Sequence, residues 1–91
     1  MNRIEIFDMA LLLSREKYKD NPNYFVLEAI IEQLEYLLTV AKGASKDLSR
    51  LNTIMIGRMA AHDIDTLDPK LSEILHLSAS EARKMIKERG I

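Results

Sequence analysis

The stretch Asn23 to Lys42, NYFVLEAIIEQLEYLLTVAK, constrains the fold more than any other part of the chain. Wound at about 3.6 residues per turn, it places Leu27, Ile30, Ile31, Leu34, Leu37, Leu38 and Ala41 on one broad apolar stripe. Glu28, Glu32 and Glu35 fall together on the opposite side, with Tyr24 and Thr39 beside them. Phe25, Ala29, Gln33, Tyr36 and Val40 form a third strip between the two. A stripe this wide needs other helices to cover it. The acidic strip bordered by aromatics is more than a solvated face requires.

The rest of the chain is short enough to supply only one such cover. Ninety-one residues make a single domain, expected over 1–91. Few aromatics and no tryptophan leave a core of Leu, Ile and Met. With no cysteine, disulfides and thiolate metal sites are excluded. The net charge of −1 argues against a general nucleic-acid binder, which carries a basic excess. The apolar run Met9 to Leu13 follows Glu5 and Asp8 and precedes no small-residue cleavage site, so it makes a poor signal peptide. No run approaches the roughly 18 apolar residues of a membrane span. A soluble cytosolic protein is expected.

Taken in order, the chain reads as four helices, over about 3–19, 23–42, 46–64 and 69–89. In the first, Ile4, Phe7, Ala10, Leu11, Ser14 and Tyr18 share a face. Ile6, Met9 and Leu13 make a second apolar strip, covered either by the chain itself or by a partner or second copy. Asp20-Asn21-Pro22-Asn23 is a turn, with Asn23 an expected N-cap, and the short link implies an antiparallel hairpin. Lys42-Gly43 stops the second helix. Ser45 is an expected N-cap of the third, which is sorted at the α-helical period into a face of Leu48, Leu51, Met55, Met59 and His62 and a face of Thr53, Gly57, Ala60, Ala61 and Ile64. Gly57 implies a close helix crossing. Asp68 as N-cap and Pro69 as first helical residue start the fourth helix. Its apolar face, Leu71 to Ile86, continues past a capping-box pattern at Ser78 to Glu81, so one long helix is expected. No strand pattern appears.

Catalysis has little to stand on. His62 and His76 are the only histidines, and His62 is expected to be partly buried packing. Glu28, Glu32 and Glu35 have metal-ligand spacing but no histidine joins them on their helix, so a solvated face is the expectation and no metal is assigned. No serine has a visible base, and three isolated glycines make no phosphate loop. No cofactor is expected.

Charge is more informative. From Asp20 to Ala41 there are acids and no base, and Asp63, Asp65 and Asp68 stand in a second stretch without a base. The basic residues Arg83, Lys84, Lys87 and Arg89 gather near the C-terminal end. The segregation is either ordinary surface variation or an acidic patch that docks on a basic, phosphate-holding cleft of a protein partner. Tyr24, Phe25 and Tyr36 would supply the anchors.

Three stretches carry a family resemblance. The first is IEIFDMALLL, Ile4 to Leu13. The second is PNYFVLEAIIEQLEYL, with Pro22, Tyr24, Val26, Leu27, Gln33, Leu34 and Tyr36. The third is LSRLNTIMIGRMAAHDIDTLDPKLSEIL, with Leu48, Leu51, Gly57, Ala60, Asp65, Asp68, Pro69, Leu71, Ser72 and Leu75. Together they resemble the small all-helical immunity proteins of bacterial type VI secretion systems, which neutralise NAD(P)+ glycohydrolase effectors. The DPxLS element and its distance from Gly57 are the most specific part, and the tail after Leu77 is less similar. The resemblance implies an all-α antiparallel bundle of four helices. It implies a non-enzyme of the bacterial cytoplasm that binds a cognate toxin domain, as a 1:1 complex, and blocks its nucleotide cleft. It does not transfer contact residues. The charge argument assigns partner binding to Tyr24, Glu28, Glu32, Glu35 and Tyr36, and to Asp63, Asp65 and Asp68. An ADP-ribosyltransferase or another nucleotide-using toxin is the alternative target. A structural or adaptor protein, homodimeric through Ile6, Met9 and Leu13, is the alternative function, and an enzyme reversing a toxin's modification lacks a visible constellation.

Overall fold

The computed structural model describes residues 1–90; residue 91, the last of the expected 1–91 domain, lies outside the described residues. It contains α1 (Arg3–Asp20), α2 (Phe25–Ala41), a 3-10 turn (Leu51–Thr53), a short helix α3 (Ile56–Met59) that runs on into a π-helical turn (Ala60–Ile64), and α4 (Pro69–Glu88). There is no strand among the described residues. The expected all-α four-helix architecture is therefore what is found.

The organising stripe of α2 lies at the centre. Leu27, Ile30, Leu34 and Leu37 have no exposed surface, and burying each contributes roughly 1.5–3 kcal/mol. Phe7, Ala10 and Leu11 of α1, Ile56, Ala60 and Ile64 of the third helix, and Leu71, Leu75 and Met85 of α4 join them in one cluster. α1 and α4 are antiparallel and pinned at both ends. Arg3 holds Glu81 at 3.1 Å and Glu88 at 2.7 Å, and Lys17 reaches Asp68 at 3.5 Å.

The helix ends follow local chemistry. Asn2 and Glu5 form a reciprocal capping box at the start of α1. Asp68 accepts from the Leu71 N–H at 3.1 Å, with Pro69 in the first turn of α4. Gly43 takes a positive φ of 75°. Gly43 N–H donates to Val40 and Ala44 N–H to Thr39, closing a Schellman motif as Lys42-Gly43 implied. Asn23 is not the N-cap of α2; Tyr24 is, with no side-chain bond. The Asx side chain works on the other helix instead, since Asn21 donates to the Lys17 carbonyl at 3.0 Å.

The third helix departs most from its expected 46–64. Residues 46–50 are not helical, 51–53 make a single 3-10 turn, and the continuous helix is confined to 56–64. Ser45 Oγ accepts from the Asp47 N–H, and the Asp47 carboxylate accepts from both the N–H and the hydroxyl of Ser49. These local bonds compete with helix. Two α2 side chains then take up backbone groups that a helix would have paired: Tyr36 donates to the Asp47 carbonyl at 2.8 Å, and the Met55 N–H donates to Gln33 Oε1 at 2.7 Å.

Within 56–64 the final turn is π-helical. Asp65 N–H bonds the Ala60 carbonyl at 2.8 Å, a wider loop than the α-helical one, so residues four apart stay in line. Ile56, Ala60 and Ile64 are buried, while Met55 and His62 face out. His62 is thus exposed rather than packed, because Leu48, Leu51 and Met55, which made its face look like the core face, lie before the helix begins. The close crossing expected of Gly57 is present: a Cβ there would stand 3.0 Å from the Ala79 Cβ. The strip Ile6, Met9 and Leu13 is divided, with Ile6 buried, Leu13 half-buried and Met9 exposed.

Two stability outcomes follow. Ala79 Cβ is fixed to its backbone, so Gly57→Ala must move one helix by a few tenths of an ångström; overpacking of about 1–3 kcal/mol, set against the roughly 1 kcal/mol gained in helix propensity, should lower the urea midpoint. Ser14 Oγ is fully buried with no hydrogen-bond partner. Ser14→Ala should therefore raise stability by about 1 kcal/mol, and a midpoint that drops instead would show the hydroxyl to be satisfied.

Candidate interaction surface

The sequence marks two acidic stretches, and the fold treats them differently. Glu28, Glu32 and Glu35 do lie along the outer face of α2, all exposed. They are not a bare acidic strip, because distant residues reach them. The Tyr18 hydroxyl donates to Glu28, Arg50 approaches Glu32 and Arg15 approaches Glu35, each at 3.4 Å. The hydrogen bond to Glu28 raises the Tyr18 pKa above its ordinary value. Arg50 also stacks over the Tyr36 ring, 5.1 Å from its centroid. Tyr36 itself is only 9% exposed, and its hydroxyl is used within the chain. It offers little surface to a partner and serves to hold the 44–55 segment.

The three aspartates are spread over the turn that leads into α4. Asp68 caps α4 and pairs with Lys17. Asp65 accepts from the Ser72 hydroxyl and lies 3.1 Å from His76 Nε2. The Ser72 hydrogen bond, then His76, holds the Asp65 carboxyl below its ordinary 3.8. Asp63 is the one brought to α2: the Tyr24 hydroxyl points at the Asp63 carbonyl, 3.5 Å away. Between the two elements lies an open cleft of about 490 Å³, lined by Asn21, Pro22, Asn23, Tyr24, Asp63 and Leu67.

Next to Tyr24 in the chain, Phe25 is 73% exposed, and Leu67 on the far wall of the cleft is 44% exposed. Exposed side chains of this size, beside a concave polar-edged cleft, are the features of a protein-binding centre. Phe25 is legible as an anchor from its place beside the acids. Leu67 carries no sequence signal, being one apolar residue in a turn of aspartates. Arg15 and Arg50 have none either, since each lies far along the chain from the glutamate it meets. Among the described residues no group of three His, Asp or Glu side chains could hold a metal ion. The arrangement can recognise a surface. Ser72 and His76 do converge on Asp65, but the carboxylate lies between them, and among the described residues no hydrogen bond joins the imidazole to the serine hydroxyl.

The model of the Tsi6 family matches residues 2–84. The chain belongs to the Tsi6 family. Over 75 residues it is 36% identical to the immune protein Tsi6 of Pseudomonas aeruginosa, a match covering 82% of this chain and 80% of that protein. The solved structure of Tsi6 from P. aeruginosa superposes with a TM-score of 0.85 at 33% identity, covering 90% of this chain and 85% of the other. A chain of the solved structure of Tse6 in complex with Tsi6 superposes with a TM-score of 0.88 at 32% identity, covering all of this chain and 95% of that one. The Tsi6-family fold thus extends over nearly the whole chain.

The depressed carboxylates set a pH dependence. Asp65 is held low by Ser72, Glu81 by Lys84 and then Arg3, and Glu88 by Arg3. A carboxyl lowered on folding contributes stability above its unfolded pKa and loses it as pH falls through the folded value. Unfolded-state values of 3.8 and 4.5 place the loss below pH 4.5. Urea midpoints should be level from neutrality down to that point and then fall, and Asp65→Asn should make the fall shallower.

Proposed function

We propose that this chain is an immunity protein that binds a cognate secreted antibacterial toxin as a 1:1 complex and acts by occupation rather than turnover. The observation that carries this reading is the end-to-end superposition on a chain of the Tse6–Tsi6 complex. The whole chain serves as a single helical domain, working in the bacterial cytoplasm where newly made toxin would meet it. Its target is an NAD(P)+ glycohydrolase, and its effect is to close the toxin's nucleotide cleft.

The surface that does so is centred on Tyr24 and Phe25 at the start of α2, with Leu67 across the cleft. Glu28, Glu32, Glu35 and Asp63 form its acidic edge. A cleft built to hold phosphates is basic, so an acidic edge around an apolar centre complements it: the apolar residues supply affinity and the carboxylates supply orientation and rate of encounter. Tyr36, Asp65 and Asp68 act at one remove, by holding the backbone from which that edge projects.

Affinity capture of the tagged protein from its native cells, with identification of what is bound, tests the reading directly, followed by NAD consumption with and without the protein. Phe25→Ala should weaken the toxin complex by about 2 kcal/mol, roughly thirty-fold in Kd. Glu32→Lys with Glu35→Lys should slow association on the order of ten-fold while circular dichroism stays unchanged, because the exposed pairs with Arg50 and Arg15 are worth only about 0–1 kcal/mol each. Wild-type kinetics in both variants would place the toxin on another face.

A further inference from the structure

A second concavity, of about 560 Å³, opens where the 52–58 segment meets the C-terminal half of α4. Its lining is unlike that of the acidic face. It has no carboxylate, an aliphatic floor that includes Ile54, Ala79 and Ile86, and two guanidiniums, Arg58 and Arg83. Arg3, Arg15 and Arg50 each hold a carboxylate. Arg58 and Arg83 make no ion pair among the described residues. The Arg83 guanidinium lies beside Gly57 at the α3–α4 crossing, its Nη1 3.9 Å from where a Cβ would stand.

We propose that this groove is a second contact site for the toxin, taking an acidic segment of its surface whose carboxylates pair with Arg58 and Arg83 while an aliphatic side chain of the segment lies on the floor. The proposal rests on the immunity reading above. Guanidinium forks match carboxylates bidentately, and two unpaired ones above an aliphatic floor match a chain that alternates acidic and aliphatic residues. The lining suits a nucleotide less well, since it has no aromatic ring to stack a base and no glycine-rich loop to cradle phosphates. The groove is also continuous with the acidic face. One backbone stretch carries Arg50, paired with Glu32, and then Asn52 to Met55 along the groove, with the Met55 N–H held by Gln33 of α2. A single partner spanning both would meet an acidic edge and a basic groove in fixed order. Such an arrangement admits one orientation and repels the reverse.

The test is the affinity, across a salt series, of the identified toxin domain for wild type and for the double variants Arg58→Glu/Arg83→Glu and Arg58→Gln/Arg83→Gln. Charge reversal should weaken binding on the order of ten-fold or more, with a shallower salt dependence and unaltered circular dichroism, and the glutamine pair should fall between it and wild type. Wild-type affinity and salt dependence in both double variants would overturn the groove as a contact while leaving the immunity reading in place. Failure of the wild-type protein to bind the toxin would overturn that reading, and this one with it. Shifts of the Ala79 and Ala82 amide resonances on adding AMP or NAD to the free protein, with none on adding the toxin domain, would assign the groove to a nucleotide and overturn the peptide occupant.

Discussion

The apolar stripe of α2 is the constraint on which the structure depends. A helix with Leu27, Ile30, Leu34 and Leu37 in one row cannot remain in water, and a chain this short has only its own remaining helices to cover it. α1 covers one flank because a short turn at Asn21 to Tyr24 can only fold it back antiparallel. The third helix and α4 close the rest, and they approach each other closely because Gly57 meets Ala79 without a side chain between them. The ion pairs at the two ends of the α1–α4 contact hold register rather than supply the stability.

The intermediate strip of α2 has a role that a partition into greasy and wet faces does not suggest. Tyr36 and Gln33 give their polar ends to the backbone of 47 and 55, replacing hydrogen bonds that this stretch would otherwise make as a helix. A non-helical connection packed on a core must have its N–H and C=O groups satisfied from somewhere. Here two side chains of the central helix do it. The same anchoring carries Arg50 to the outer face, where it shields Glu32 and stacks on Tyr36.

The surface that results has two signs. Around Tyr24, Phe25 and Leu67 the edge is acidic and its centre apolar; beyond the 50–55 segment the lining turns basic over an aliphatic floor. A net charge of −1 hides this division. The immunity function proposed above gives the division a use, since opposed charges set in fixed positions on a rigid scaffold discriminate one partner from others.

Much of this was already determined by the sequence. The periodicity of residues 23–42, the Lys42-Gly43 stop and the Asp68-Pro69 start each act through neighbours a few positions away, and each is present as the local chemistry requires; the small residue at 57 marked a close crossing whose partner, Ala79, only the fold supplied. So were the outward placement of the three glutamates and the family to which the chain belongs. The tertiary structure alone decided the rest. The loss of α-helix over 46–55 removed Leu48 and Leu51 from the face assigned with His62, and the side that carries Ile56, Ala60 and Ile64 is the one packed on the core. Folding also brought Arg15 and Arg50 to glutamates 20 and 18 positions away, turned Tyr36 inward, and joined Tyr24 to Asp63. Local sequence fixes which groups a helix presents. Which of them stay free for a partner depends on contacts between segments far apart in the chain, and those exist only once the core has closed.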